Sequence, residues 1–295
     1  MEELAHSKIN LGLAILDKRP DGYHNIDTIF QSIRLADSIY FAKHHSVVFS
    51  GAAPELPDYM QALIPYDDRN IAVKAIKALQ DYTGIKQGAA IHLLKRTPVQ
   101  AGLGGGSADA AAMLRGLNKF WGLGLSLKEL ETIGASLGSD VPFLVRGGTA
   151  RGQGRGQVLA FQKSCEPYWL LLVKPQLSVS TAAAYRQFKG TSKVTSHTID
   201  LVSDLITNES FTDAFNEAGN TFEELIFPLY PELVTCKDFF TSRGFPTLMT
   251  GSGPTMVVLL DKASQALALQ EEIKQDGHNW FTLITKTCGE EDIHA

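Results

Sequence analysis

The stretch Pro98 to Ala111 constrains the chain more than any other, because four of the five residues from Gly102 to Gly106 are glycine. Glycine loses more backbone freedom on folding than any other residue, so such a run belongs where backbone must come very close to something. Before it, Gly88 to Lys95 is apolar and strand-sized. After it, Ala108 to Asn118 is small and apolar, without proline, and reads as a helix. Strand, glycine loop and helix together aim free backbone N–H groups and the positive end of a helix dipole at a phosphate. Two common phosphate patterns fail. No lysine follows the glycines, as a P-loop needs, and Ser107 stands where the dinucleotide pattern has its third glycine. The loop also lies a third of the way along the chain, not in an opening βαβ unit. Ser107 supplies a hydroxyl for a helix cap, a phosphate or a metal.

The 295 residues suffice for one or two domains with a large core. A net charge of -5 provides no basic surface for nucleic acid or anionic lipid. No apolar run approaches the roughly 20 residues of a membrane span. Met1 to Leu4 lacks the basic start and apolar middle of a signal peptide. Cys165, Cys236 and Cys288 are odd in number and far apart, which suits a reducing cytoplasm and forms no metal pattern.

Residues 4–16 read as a strand in which Ile9, Leu11, Leu13 and Ile15 alternate with Lys8, Asn10 and Gly12. Lys8 and Asn10 therefore share a face, and the pattern alone leaves that face open between solvent and a site. Pro20-Asp21-Gly22 is a turn, followed at once by Tyr23 and His24. Strands are expected at Asp27–Leu35, Ser38–Phe41 and Ser46–Ser50, a loop from Pro54 to Asp68, and an amphipathic helix from Asn70 to Tyr82 closed by Gly84. Ser126 and Glu129 form a capping box for a helix running to about Leu137. Pro142 biases Val141 to an extended shape. That reading puts Asp140 on a tight connection past a helix C-terminus, where the dipole disfavours a carboxylate, with a strand over Phe143–Ala150. Gly152 to Gly156 is a hairpin turn, since no helix follows it. Beyond a break near Gln162–Pro167 come a strand (Tyr168–Val173), a short helix (about Thr181–Phe188), and helices at 199–206, 211–226 and Pro231–Ser242. Strands at Pro246–Met249 and Thr255–Leu260 flank Gly251-Ser252-Gly253-Pro254, and a helix (Ala263–Lys274) and a strand (Trp280–Lys286) follow. Strands with helices between them on one sheet suggest an α+β sandwich.

Three stretches resemble the GHMP kinases, the family of galactokinase, homoserine kinase, mevalonate kinase and phosphomevalonate kinase. They are the N-terminal strand with Lys8, the loop Pro98–Ala108, and Gly251 to Pro254. Ser7 to Leu11, Arg19 to His24, Leu103 to Ala111 and Gly138 to Pro142 resemble more closely the branch acting on a cytidine diphosphate ester of methylerythritol. The resemblance is strongest in the N-terminal half and continues more weakly to about residue 260. It implies an α+β, two-domain fold: a ribosomal-S5-domain-2-like domain over 1–162, a ferredoxin-like α/β sandwich over 163–295, and an active site in the cleft between them. It implies an ATP-dependent, cytoplasmic kinase of isoprenoid precursor synthesis, using Mg²⁺, that phosphorylates the 2-hydroxyl of a small-molecule substrate, CDP-methylerythritol. The partners it implies include neither nucleic acid nor membrane, and the enzyme is expected as a monomer or homodimer.

By the same resemblance Lys8 and Asp140 are the catalytic pair, Asn10 hydrogen-bonds near the reacting hydroxyl, and Tyr23, His24 and Tyr185 bind cytosine. The ATP-phosphate loop comprises Pro98, Val99, Gln100, Ala101, Gly102, Leu103, Gly104, Gly105, Gly106, Ser107 and Ala108. Asn70 falls on the adenosine side, and Ser107 is the candidate protein contact for the metal. The chain departs from the family at His6-Ser7, where Pro-Ala is usual, and Asn220 to Glu224 matches the family's Asn-Asp-Leu-Glu segment only loosely. The alternatives are a kinase of mevalonate or homoserine type and a non-catalytic ligand-binding protein of the same fold. Neither of these has a use for a nucleobase pocket together with an intact Lys8, Asp140 and Ser107.

Overall fold

The structure is a computed structural model that describes residues 1–163, 167–179 and 181–294. Cys165 and the middle of the break expected near Gln162–Pro167 lie outside the described residues.

Two long antiparallel strands organise the first part of the chain: β1 (Glu2–Lys18) and β2 (His24–Ala42). The two strands expected between Asp27 and Phe41 are one element: the pairing with β1 is interrupted by a register shift opposite Ile33 to Leu35 and resumes at Ala36 and Asp37. The sheet grows from β2 on both sides. β4 (Ala89–Leu94) carries β3 (Val47–Ala52) at one edge, and the hairpin of β5 (Thr149–Gly154) and β6 (Val158–Gln162) forms the other. Between Pro54 and Asp68 the expected loop contains one helical turn, α1 (Asp58–Gln61).

Helices α2 (Ile71–Thr83), α3 (Gly105–Phe120), α4 (Leu127–Ala135) and α5 (Val141–Arg146) share a core with this sheet. α2 begins and ends on the expected signals: the Asn70 side chain accepts from Ala72 N–H, and Gly84 closes it in a left-handed conformation. The Ser126–Glu129 capping box opens α4. α5 overturns two expectations, because Val141–Arg146 is a helix and Asp140 is its N-cap residue. Proline stops a helix only from its interior. In the first turn its missing N–H costs nothing and its fixed φ favours helix, so Pro142 starts α5. The strand expected from Phe143 therefore begins only at Thr149.

The second sheet has the order β10-β7-β9-β8, from β7 (Trp169–Lys174), β8 (Thr247–Met249), β9 (Met256–Leu260) and β10 (Phe281–Lys286), all antiparallel. Its helices are α6 (Thr181–Gln187), α7 (Ser196–Thr207), α8 (Phe211–Glu217), α9 (Thr221–Ile226), α10 (Pro231–Thr241) and α11 (Ala263–Gln275). The helix expected over 211–226 is two helices, α8 and α9, broken at Ala218 to Asn220. Asn220 caps α9, its side chain accepting from Phe222 N–H.

A third core joins the two sheets. Ile9 and Leu11 of β1 pack there with Leu170 and Leu172 of β7, Val257 of β9, and Ile199 and Phe211 of the helices. The chain end returns to the first sheet. Cys288 N–H donates to Ser32 O at 3.0 Å, and α12 (Glu290–His294) lies against α5, with Ile293 filling the space a side chain at Gly147 would need. That helix has no signature strong enough to be expected from sequence.

Candidate active site

Burial decides the question that period two left open on β1. Its polar face looks into the molecule: Lys8 is 4% exposed and Asn10 2%. Lys8 Nζ donates to Asn10 Oδ1 at 2.8 Å and lies 3.3 Å from Asp140 Oδ2. Asn10 Nδ2 in turn donates to Thr28 Oγ1 on β2 at 2.8 Å, and that hydroxyl donates to Gly12 O at 2.6 Å. The register shift between Asn10 and Leu13, with Gly12 at φ 94°, turns this carbonyl toward Thr28. Every polar group of the row thus has a partner, as burial demands. Asp140 stands at the positive end of α5, where an ionised carboxylate is favoured, the reverse of the expected placement.

The glycine loop crosses beside this row. Lys8 N–H donates to Leu103 O at 3.0 Å. Gly102, at φ 75°, lies so close to the turn after β8 that a Cβ would run into the Thr250 carbonyl oxygen. Gly104, at φ 69°, is the N-cap of α3, and a Cβ there would sit 3.1 Å from the Lys8 stem. The helix begins at Gly105, earlier than expected, so the last glycines form its first turn with their N–H groups free of intrahelical partners. Gln100 holds a left-handed φ of 52° without being glycine, the kind of strain a surrounding site sustains.

Two cavities meet at the loop. The larger, about 730 Å³, is lined by Lys8, Asn10, Asp140, Tyr23, His24 and Tyr185 among others, so it gathers all the residues expected on the substrate side. The smaller, about 440 Å³, is lined by Asn70 and by the loop from Pro98 to Ser107. Gln100, Gly102 and Gly104 face both. Ala108 faces neither, its methyl lying in the core against the first sheet. Asn70 reaches the smaller cavity with its amide already engaged, accepting from Ala72 N–H at 2.9 Å and donating to Pro65 O at 2.7 Å.

At the aromatic end His24 lies parallel to Tyr185, with ring centroids 5.5 Å apart and planes 7° apart. Phe188 meets His24 edge-on, and Phe222 meets Tyr185 in the same way. Burial, and then the Lys18 charge, lower the His24 pKa below its ordinary 6.5, which favours the neutral ring. Burial, and then the charge of Asp140, push the Tyr185 phenol up to about 12. Tyr23 stands apart at the mouth, 58% exposed, with Arg155 over its ring.

Sequence reasoning missed several residues. Asn220 Nδ2 donates to Met249 O and Gly251 O, at 2.6 and 2.8 Å, and so holds the Gly251–Gly253 turn against the glycine loop. The loose motif at 220–224 was the signal for it. Beneath the loop Lys95 pairs with Asp37 at 2.5 Å and Asp109 at 2.7 Å, all three buried. Asp37 also accepts from Arg96 N–H and Thr97 N–H. Burial first, relieved in part by Lys95, raises Asp109 well above the ordinary carboxylate range. Lys18, Arg155 and Arg186 line the larger cavity, and no motif marked them. Among the described residues no group of three His, Cys, Asp or Glu side chains is placed to hold a metal, and no helix is long and apolar enough to cross a membrane.

Two sheets sharing a core, with a glycine loop between two cavities, define a phosphate-handling fold of recognised type. The GHMP kinases N terminal domain model matches residues 70–148, and the GHMP kinases C terminal model matches residues 192–279. The chain belongs to the GHMP kinases. Its curated relatives include proteins named 4-diphosphocytidyl-2-C-methyl-D-erythritol kinase. The one from Geobacillus sp. (strain WCH70) is 41% identical over 267 residues, 88% of each chain. The one from Exiguobacterium sibiricum is 40% identical over 271 residues, 92% of each. A crystal structure of 4-(cytidine 5'-diphospho)-2C-methyl-D-erythritol kinase superposes with a TM-score of 0.79 at 28% identity, covering 98% of this chain and all of that one. A homoserine kinase from Cytophaga hutchinsonii, 16% identical with a TM-score of 0.71, shares the fold, covering 98% of this chain and 94% of its own.

Proposed function

We propose that this chain is an ATP-dependent kinase that phosphorylates the 2-hydroxyl of 4-diphosphocytidyl-2-C-methyl-D-erythritol, a step of non-mevalonate isoprenoid synthesis. One observation carries the reading. A single cavity holds an acid–base pair, Lys8 and Asp140, together with an aromatic group, His24 and Tyr185, and its wall is the phosphate loop. An alcohol acceptor without a base has no use for the aromatic end.

In the reaction the substrate 2-oxygen forms a bond to the γ-phosphorus of ATP, and the bond from that phosphorus to the β–γ bridging oxygen breaks, releasing ADP. The hydroxyl proton passes to Asp140 and then to water. A carboxylate of ordinary pKa about 3.9 cannot strip an alcohol beforehand. It accepts the proton late, as bonding to phosphorus weakens the O–H, so its work is placement of the hydroxyl. Lys8 stands 3.3 Å from the Asp140 carboxylate at the N-terminal end of α5, and Lys8 offsets charge on the phosphoryl group in transfer. Asn10 fixes the Lys8 ammonium and leaves the lysine one preferred direction. The free N–H groups of Gly105 and Gly106 take the ATP phosphates in the smaller cavity. His24, kept neutral, has one ring nitrogen to give and one to accept with, which suits the edge of a cytosine.

Mg²⁺ enters with ATP as part of that substrate. The residues present fit a lightly held ion: Ser107, which lines the smaller cavity beside the loop, is an oxygen donor of the kind a hard cation takes, and phosphates and water would complete the shell. The division at 162/163 and a cytoplasmic site of action belong to the same reading. It is supported by the change of sheet between β6 and β7 and by Cys236, a buried free thiol.

The test is ADP release by the purified protein with ATP and Mg²⁺. The acceptors are the cytidine diphosphate ester, free methylerythritol phosphate, mevalonate and homoserine. Release with the ester alone is expected, and release with mevalonate or homoserine in its place would refute the reading.

A further inference from the structure

The larger cavity carries more positive charge than the chemistry between Lys8 and Asp140 uses. Among the described residues that line it, Asp140 is the one carboxylate, against four cations, Lys8, Lys18, Arg155 and Arg186. Lys8 is committed to Asp140 and Asn10. Among the described residues no carboxylate pairs with the other three. The chain as a whole is acidic, at -5, so three unpaired cations around one opening do not follow from composition.

Arg155 is the most firmly placed of the three. It occupies the turn between β5 and β6, flanked by Gly154 and Gly156 at φ 68° and 102°. Its N–H donates to Gln157 Oε1 at 2.7 Å, and Gly156 packs over Phe30 and Ile26. The turn lays the guanidinium across the cavity mouth, 4.5 Å from the Tyr23 ring centroid. The carboxylate whose charge it shares, Asp21, is already held by Arg19 at 3.1 Å. A half-buried guanidinium with its hydrogen-bonding edge unspent is a receptor for an oxyanion.

Resting on the reading above, we infer that Arg155 is a specificity residue for the diphosphate linker of the substrate, with Lys18 and Arg186 completing an anion-receiving rim. A ligand with its base at His24 and Tyr185 and its alcohol at Asp140 must carry two phosphates across the space between. The stack on Tyr23 holds the guanidinium ready with little side-chain freedom left to lose. A monoanionic or neutral acceptor would leave the rim's charge unmatched, which discriminates against small alcohols lacking a diphosphate.

The experiment compares CDP and cytidine as probes, by calorimetric titration of wild type, Arg155→Ala and Arg155→Lys, alongside steady-state kinetics with the full substrate. The expected result for Arg155→Ala is a loss of about 10-fold or more in CDP affinity and a matching rise in substrate KM, the scale of one charge-assisted hydrogen bond. Cytidine affinity and the KM for ATP stay within about twofold, and Arg155→Lys recovers part of the CDP affinity. Equal weakening of cytidine and CDP would overturn the inference, because Arg155 would then serve only as a backing for Tyr23. So would unchanged CDP affinity in a wild-type-active background. Wild-type protein that neither binds CDP nor turns over its methylerythritol ester would refute the function itself, an outcome distinct from both.

Discussion

The Lys8 ammonium lies 3.3 Å from the Asp140 carboxylate, the lysine side chain 5% exposed and the aspartate side chain 31%. The asymmetry is functional in form. The cation is enclosed and pinned by Asn10, and the carboxylate keeps a face open to the cavity, the side from which the proposed reaction brings the acceptor hydroxyl. For Asp140→Asn, kcat is expected to fall by about 10²- to 10⁴-fold, the usual worth of a positioned general base. ATP affinity is expected to change little. Single-turnover rates and nucleotide titration check the two halves separately.

Gly104 couples the phosphate loop to the lysine. Its positive φ disfavours any other residue, and a Cβ would press on the Lys8 stem at 3.1 Å. Gly104→Ala should therefore cost about 1–3 kcal/mol of stability through backbone strain. It should also lower kcat more than that loss alone explains, because Lys8 is displaced. Urea unfolding alongside kcat resolves the two effects.

Beneath the loop, Lys95 neutralises two carboxylates at once. Lys95→Met leaves Asp37 and Asp109 facing each other in the interior, and a loss of about 3–5 kcal/mol is expected, the scale for breaking a buried ion pair. The double variant Lys95→Met with Asp109→Asn should recover part of it. Denaturant midpoints of the three proteins are the measurement.

His6 gives the protein an acid-sensitive point two residues from Lys8. Its Nδ1 meets Ile33 O at 3.2 Å, and its Nε2 is buried without a partner among the described residues. Burial lowers its pKa below 6.5. The unfolded chain therefore binds a proton that the folded chain resists, and stability falls as pH drops below about 6.5. Replacing it, as in His6→Gln, should flatten the decline between neutral pH and pH 5.5. Unfolding midpoints at several pH values test the slope, independently of any change in absolute stability.

What the linear sequence determined was local. Four glycines in five residues have few uses, so a loop of close backbone approach opening a helix was legible from backbone entropy alone, and Asn70, Gly84, Ser126 and Glu129 marked helix ends through hydrogen bonds made within a few residues. Which face of β1 is buried was not local. Lys8 and Asn10 read equally well as a solvated edge, and only the docking of Leu103, Thr28 and Asp140 from distant segments encloses them. Pro142 misled for the same reason. A proline stops or starts a helix according to what precedes it, and the packing of Val141, Phe143 and Leu144 into the core selects the start. Asn220 had only a loose motif, and nothing in the sequence marked Lys18 or the Arg155 side chain, because what these residues do lies in what they face across the molecule. Tertiary structure decided these because a buried charge or amide is defined by its partners, and those partners lie far away along the chain, 240 residues in the case of Asn10 N–H and Thr250 Oγ1.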